Sequence, residues 1–211
     1  MIPRRTGAAA VEPRHAPCSI VPVTSEKAIA ARLDQGNLRA AATEVMKAYG
    51  PQVLGYLVVV LRSDDDAREV FSQFAEDLWK GLSRFRRECT FRAWAFKLAW
   101  HAASRFLRDP YRQRGRRLVT SDASRLAASV SHQSSYRPGG RSERMMKLRQ
   151  ALDPEEQTLL ILRLDKELPW EEVAHVLSGR GQPVAPAALR KRFERLKEKL
   201  ALLAREQGLI S

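Results

Sequence analysis

A chain of 211 residues falls between one large domain and two small ones, at ~150 residues per domain. Its 37 Lys and Arg outnumber 24 Asp and Glu by 13, and clustered cations of this kind gain affinity by releasing counterions from phosphates, so a polyanionic partner is implied. A hydrophobic fraction of 44% excludes wholesale disorder, two cysteines (Cys18 and Cys89) exclude a disulfide framework, and no apolar run approaches the ~18 residues of a membrane span.

Residues 1–35 read as a disordered leader. Pro3, Pro13, Pro17 and Pro22 lie among alanines, and the arginines near the start precede no apolar core of signal-peptide length. The expectation is therefore a soluble, cytoplasmic chain without membrane insertion.

Residues 36–109 form a first helical block. Val53, Leu54, Leu57, Val60 and Leu61 keep the 3–4 spacing of a buried stripe. Ser63-Asp64-Asp65-Asp66 then places acids where a helix N-terminus favours them. Ala67, Val70, Phe71, Phe74 and Leu78 mark one inward face of the helix that follows, with Gly81 as its terminator. A basic loop, Leu82 to Thr90, leads to a third helix from Phe91 to Arg108. Its inward residues are Phe91, Trp94, Ala95, Leu98, Ala102 and Phe106.

Residues 110–145 make a linker. Eight arginines face Asp122 and Glu143, an excess of +6, and Pro138-Gly139-Gly140 interrupts any helix. Such a segment is flexible or held by a partner.

Residues 146–211 form a second helical block. Asp153 is an N-cap, Pro154 suits the first helical position, and Glu155 and Glu156 complement the dipole. Leu159, Leu160, Leu162 and Leu164 follow. A turn at Asp165–Pro169 precedes a short helix from Trp170 to Leu177, with Val173, Ala174 and Leu177 inward. A loop through Gly179, Gly181 and Pro183 opens a basic helix from Pro186 to about Glu206. No segment alternates like a strand, so the fold class is all-α: two small helical domains joined by a basic linker. The second has the helix-turn-helix pattern.

The binding residues follow from these placements. In the last helix Leu189, Phe193, Leu196, Leu200 and Leu203 turn inward. Ala187, Ala188, Arg190 and Lys191 are left at the end that would enter a major groove, with Arg192 and Arg195 reaching bases or phosphates. A solvated basic helix is the plain alternative. In the third helix Lys97, His101, Arg105 and Arg108 make a polar, mostly basic stripe beside Trp100, and aromatics among cations stack on unpaired bases. The loop Phe85-Arg86-Arg87-Glu88-Cys89-Thr90 has groups suited to an extruded base. The acidic helix surface of Asp64, Asp65, Asp66, Glu69, Glu76 and Asp77 repels DNA and suits a basic protein partner or plain solvent. His15, His101, His132 and His175 are scattered, and no phosphate-binding glycine motif is present. Neither catalytic residues nor metal or other cofactors are expected.

Three stretches carry a resemblance in order: Tyr49-Gly50-Pro51 to Leu61; Asp66-Ala67-Arg68-Glu69-Val70-Phe71-Ser72-Gln73-Phe74 with Leu78-Trp79; and Phe85-Arg86 with Thr90-Phe91-Arg92-Ala93-Trp94 and Leu98-Ala99. They resemble region 2 of bacterial sigma factors. Leu152-Asp153-Pro154-Glu155-Glu156, Leu160 to Leu164 and Trp170-Glu171-Glu172-Val173-Ala174 look like region 4. With no room for region 3, the chain resembles the extracytoplasmic-function (ECF) class of the sigma-70 family.

That resemblance implies a non-enzymatic subunit that directs core RNA polymerase to promoters and helps melt them. Asp65, Asp66, Glu69, Gln73 and Phe74 would dock on the β′ clamp helices. Phe85, Arg86, Arg87, Thr90, Arg92, Lys97, Trp100, His101, Arg105 and Arg108 would engage the −10 element. Ala187, Ala188, Arg190, Lys191, Arg192 and Arg195 would read the −35 element, and region 4 would touch the β flap. An anti-sigma factor is a further possible partner. Trp100-His101 stand where the family commonly has Arg-Asn, and the turn at Ser178–Ala185 is about five residues longer than a tight helix-turn-helix connection. A free-standing helix-turn-helix regulator explains the second block alone, and a sequestered protein-binding adaptor would depend on the acidic helix alone.

Overall fold

A computed structural model describes residues 23–108, 148–179 and 182–207, and among them the chain is all-α apart from one isolated bridge between Gly179 and Gln182. None of the helices among the described residues is long and apolar enough to cross a membrane.

Helix α1 spans Val23–Asp34, inside the segment that composition assigns to a disordered leader. Ile29 is completely buried in the core, and that anchorage orders a stretch whose mean composition is too polar to reveal it. Residues 1–22 lie outside the described residues. Gly36, at φ +69°, turns the chain back, and the Asn37 side chain accepts from Ala40 N at 3.0 Å to start α2, Leu38–Leu61. Pro51 lies inside α2, and the helix runs on through it. Arg62 closes α2 in the left-handed conformation at φ 59°, and its N–H bonds the Val58 carbonyl at 3.0 Å.

Helix α3, Asp64–Leu82, begins with Ser63 as N-cap and three aspartates in its first turn. Gly81 lies within this helix rather than after it. A Cβ there would sit 3.1 Å from the Trp94 ring, so the glycine serves close packing. Helix α4, Phe91–Arg108, starts where the periodicity places it. Thr90 Oγ1 accepts from Ala93 N at 3.1 Å, and the Glu26 carboxylate accepts from Phe91 N at 3.0 Å and Arg92 N at 3.1 Å. A residue of α1 thus satisfies donors that the first turn of α4 leaves open.

In the second block Asp153 and Glu156 form a complete capping box at the head of α5, Pro154–Leu160, which continues as a π turn over Ile161–Asp165. Arg149 grips Asp165 through two bonds of 2.8 and 2.9 Å. Leu164 ends up 54% exposed, outside the apolar run it follows in sequence. Helices α6, Trp170–Leu177, and α7, Pro186–Glu206, have the limits that their sequence signals give. Trp170 meets Phe193 edge-on at 5.5 Å, holding α6 against α7.

The two blocks do not stand apart. Buried residues of α1–α4 and α5–α7 belong to one continuous hydrophobic cluster, in which α2 packs on α5 and α4 packs along α6. We refer to them as the first and second lobes.

Candidate nucleic-acid interface

The acidic face of α3 is where the sequence places it. Asp64 and Asp65 are exposed, Asp66, Glu69 and Gln73 are half-buried at the rim, and Gln73 donates to Asp77 at 3.2 Å. Phe74 is a correction: it is completely buried, 5.5 Å from the Phe71 ring, and is no part of any docking surface. The 3–4 periodicity puts Phe74 inside and the family motif puts it outside, and packing follows the periodicity.

The loop before α4 is built on an aromatic stack. Phe85 lies 4.5 Å from Phe91 and 5.0 Å from Trp94 between ring centroids, and all three are shielded enough to fix the loop's base. Arg86 and Arg87 project into solvent. Arg87 has φ 58° and pairs with Asp34 of α1. Thr90 is occupied as the cap of α4. Trp94, expected inward, is only partly buried and forms one wall of a cleft of about 210 Å³ with Phe85, Cys89, Lys97, His101 and His175. Burial, reinforced by the Glu172 carboxylate, pushes the Cys89 thiol up to about 11, so it stays protonated at neutral pH.

The stripe on α4 divides in two. Arg105 and Arg108, at its C-terminal end, are exposed, with Arg105 paired to Asp77 of α3. Arg92, Lys97 and His101 instead face the second lobe. Arg92 donates to the Lys166 carbonyl at 2.7 Å. Lys97 Nζ stands 3.3 Å from His175 Nε2, and an ammonium has only protons to give, so the imidazole accepts and is neutral. His101 Nε2 lies 3.2 Å from the Ser178 carbonyl, which requires the proton on that nitrogen. Trp100 is half-buried against the core. Periodicity locates this face correctly but holds no sign that α6 covers it.

On α7, Ala187, Ala188, Arg190, Lys191, Arg192 and Arg195 are all exposed. Arg190 lies near Trp170, 6.0 Å from the ring centre, and 3.9 Å from Glu171. Arg192 and Lys199 bridge back to the head of α5, to Glu155 at 2.6 Å and Glu156 at 2.7 Å. No ion pair among the described residues holds Lys191 or Arg195. The long turn before α7 is pinned by Ser178, whose hydroxyl donates to Ala174 O at 2.6 Å and accepts from Val184 N at 2.9 Å. Between α5 and α7 runs a second groove of about 310 Å³, floored by Leu159, Leu177, Leu189 and Leu196.

Residues 45–114, about a third of the chain, match the family model for Sigma-70 region 2. Its described part is most of α2 with all of α3 and α4. The chain therefore carries a sigma-70 region 2. The match supports a sigma-70 family RNA polymerase sigma factor that acts with core RNA polymerase and promoter DNA in promoter recognition and transcription initiation. A comparison with curated proteins gives no match.

Proposed function

We propose that the chain is a sigma factor of the ECF class, a non-enzymatic cytoplasmic subunit whose two lobes serve as region 2 and region 4. The observation that carries this reading is the region 2 match over residues 45–114; the short α6 followed by the basic α7 in the second lobe supports reading that pair as a helix-turn-helix. In this reading the domain limits are 36–109 and 146–211, joined by the basic segment 110–145. Region 2 gains α1 as a brace, because Glu26 caps α4.

Each surface has a role by its chemistry. The carboxylates of α3, exposed Asp65 and half-buried Asp66 and Glu69, meet the β′ clamp helices together with Gln73, as a negative surface in a basic protein suits a protein partner. Arg86, Arg87 and the α4 residues Arg92, Lys97, Trp100, His101, Arg105 and Arg108 take the −10 strand, through phosphate contacts and stacking. Phe85 and Thr90 hold the loop in place. Helix α7 presents two alanines and four cations to the −35 groove, where small residues permit close approach and Arg reads guanine edges. The apolar groove between α5 and α7 is the surface assigned to the β flap.

Size-exclusion chromatography of the chain with core RNA polymerase tests this. Stoichiometric co-elution is expected, with loss when Asp65, Asp66 and Glu69 are replaced together by alanine. Asp65 is exposed and Asp66 and Glu69 lie half-buried at the rim, outside the core, so that variant keeps its fold. Absence of any complex at moderate salt, with duplex binding by α7 retained, would overturn the reading in favour of a free-standing helix-turn-helix regulator. An anti-sigma partner is tested separately, by whether such a protein displaces the polymerase.

A further inference from the structure

We infer that α1 is the positioning element of the loop before α4. Glu26 and Asp34 hold that loop at two points, so a helix outside the matched region 2 sets how sharply the loop tells one base from another. The inference rests on the assignment of the 85–90 loop to the −10 element.

Main-chain bonding leaves much of this loop open. Arg84 N and Phe85 N donate to the Gly81 and Leu82 carbonyls at 3.0 and 3.3 Å, which ties its start to the end of α3. No backbone–backbone bond among the described residues involves 86–89. Arg87 also sits at φ 58°, a conformation that a residue with a Cβ keeps only where its surroundings hold it.

Helix α1 supplies that hold. Asp34, its last residue, forms an ion pair with Arg87, and Glu26, in its first turn, accepts from the Phe91 and Arg92 amides. The two acids lie eight positions apart, ~12 Å along a helix. They fix both ends of the stretch 87–91, which includes Cys89 and the α4 cap Thr90. Helix α1 is anchored in turn, since Ile29 is completely buried and the Tyr49 hydroxyl of α2 donates to Glu26.

Stability does not explain the Asp34–Arg87 pair. Both side chains are more than half exposed, at 61% and 53%, and ion pairs in water add little to folding. Arg87 stands between Arg86 and Glu88, which line the cleft with Phe85, Cys89 and Trp94. Choosing between bases of similar size needs such walls held within a fraction of an ångström. A loop free to adapt would accept each base by reshaping around it.

The test uses holoenzyme assembled from the full chain and core RNA polymerase, which first selects a sequence from randomised single-stranded oligonucleotides. Discrimination is the ratio of affinities, measured by anisotropy, for the best and worst base at the most strongly selected position. Glu26→Gln combined with Asp34→Asn should lower that ratio about three- to tenfold, the worth of roughly one hydrogen bond. The two changes remove negative charge beside the loop, so affinity for unselected oligonucleotide should rise while discrimination falls. A loss of folded protein would instead lower every affinity together and leave the ratio untouched. Asp34→Asn alone, at an exposed site, keeps its fold and should show a smaller drop. Asp34→Glu, which keeps the carboxylate, should retain the wild-type ratio.

An unchanged ratio in both Glu26→Gln/Asp34→Asn and Asp34→Asn overturns the inference and leaves the −10 assignment standing. A drop in Asp34→Glu as large as in Asp34→Asn overturns the part given to the ion pair. If the wild-type holoenzyme prefers no base, the −10 assignment fails and the inference with it. If no holoenzyme forms, the sigma factor reading itself fails.

Discussion

Tyr56 donates its hydroxyl proton to Thr158 across 3.0 Å and 102 positions of sequence. The direction follows from Thr158, whose own proton goes to the Pro154 carbonyl at 2.7 Å. Burial holds the Tyr56 phenol well above its ordinary range, so it stays a donor at every physiological pH. Tyr56→Phe keeps the ring against Phe96, at 5.6 Å edge-on, and deletes only the bond. We expect a loss of about 1 kcal/mol, read as a lower urea midpoint. In a double-mutant cycle with Thr158→Val the two losses should be less than additive, and strict additivity would show that the hydroxyls do not interact.

Glu26 joins α1 to the start of α4 through the α4 backbone. Its carboxylate takes the Phe91 and Arg92 amides and the Tyr49 hydroxyl. Desolvation, strengthened by that carboxylate, raises the Tyr49 phenol far out of its usual range and keeps it a donor. Glu26→Ala should cost about 2 kcal/mol, since charge-assisted bonds at a helix N-terminus are lost together. Hydrogen exchange at the Phe91 and Arg92 amides should accelerate in that variant while exchange in the middle of α3 changes little.

Acid should loosen the junction of the lobes. Burial first, and the Lys97 ammonium second, lower the His175 pKa below its ordinary 6.5. Glu88 pulls the other way and His101 adds to the lowering. A base with a depressed native pKa binds fewer protons folded than unfolded, so its contribution is complete above 6.5 and is lost as pH falls below that value. Thermal unfolding followed from pH 8 to pH 5 should show this loss, and His175→Gln should flatten that part of the curve.

Cys89 reports on the same junction. With its thiol held at about 11, roughly 0.1% is thiolate at pH 8, about a hundredfold less than for an ordinary protein thiol. In a Cys18→Ser background, alkylation of Cys89 should be slow in the wild-type chain. It should quicken in Tyr56→Phe/Arg62→Asn, which removes the Thr158 bond and the Arg62 bond to the Leu152 carbonyl, so that α6 and Glu172 move away. Equal rates in the two proteins would show that α6 does not shield the thiol.

Local signals made much of the architecture readable. Serine or aspartate caps and acidic first turns mark α3 and α5, Pro186 and the 3–4 apolar spacing mark α7, and all three begin at the marked residues. Helix α1 escaped because a single buried residue, Ile29, and a carboxylate that acts 65 residues away are its anchors, and neither leaves a local pattern. The acidic and basic faces were legible because charge periodicity is local. Phe74 shows two signals in conflict, where the apolar period outranks the motif. Coverage of Lys97 and His101 by α6 was invisible, since it depends on pairing between segments some 75 residues apart with no shared periodicity.

The continuous core has a consequence for the order of synthesis. Helix α4 ends at Arg108 and α6 at Leu177, so a ribosome adds 69 more residues before the cover for α4 exists. At 5–20 residues per second that is about 3–14 s. During that interval the nascent first lobe presents its cations and tryptophans uncovered, beside an RNA-rich machine. A nascent chain stalled after α4 should therefore cling to nucleic acid more strongly than the finished protein does.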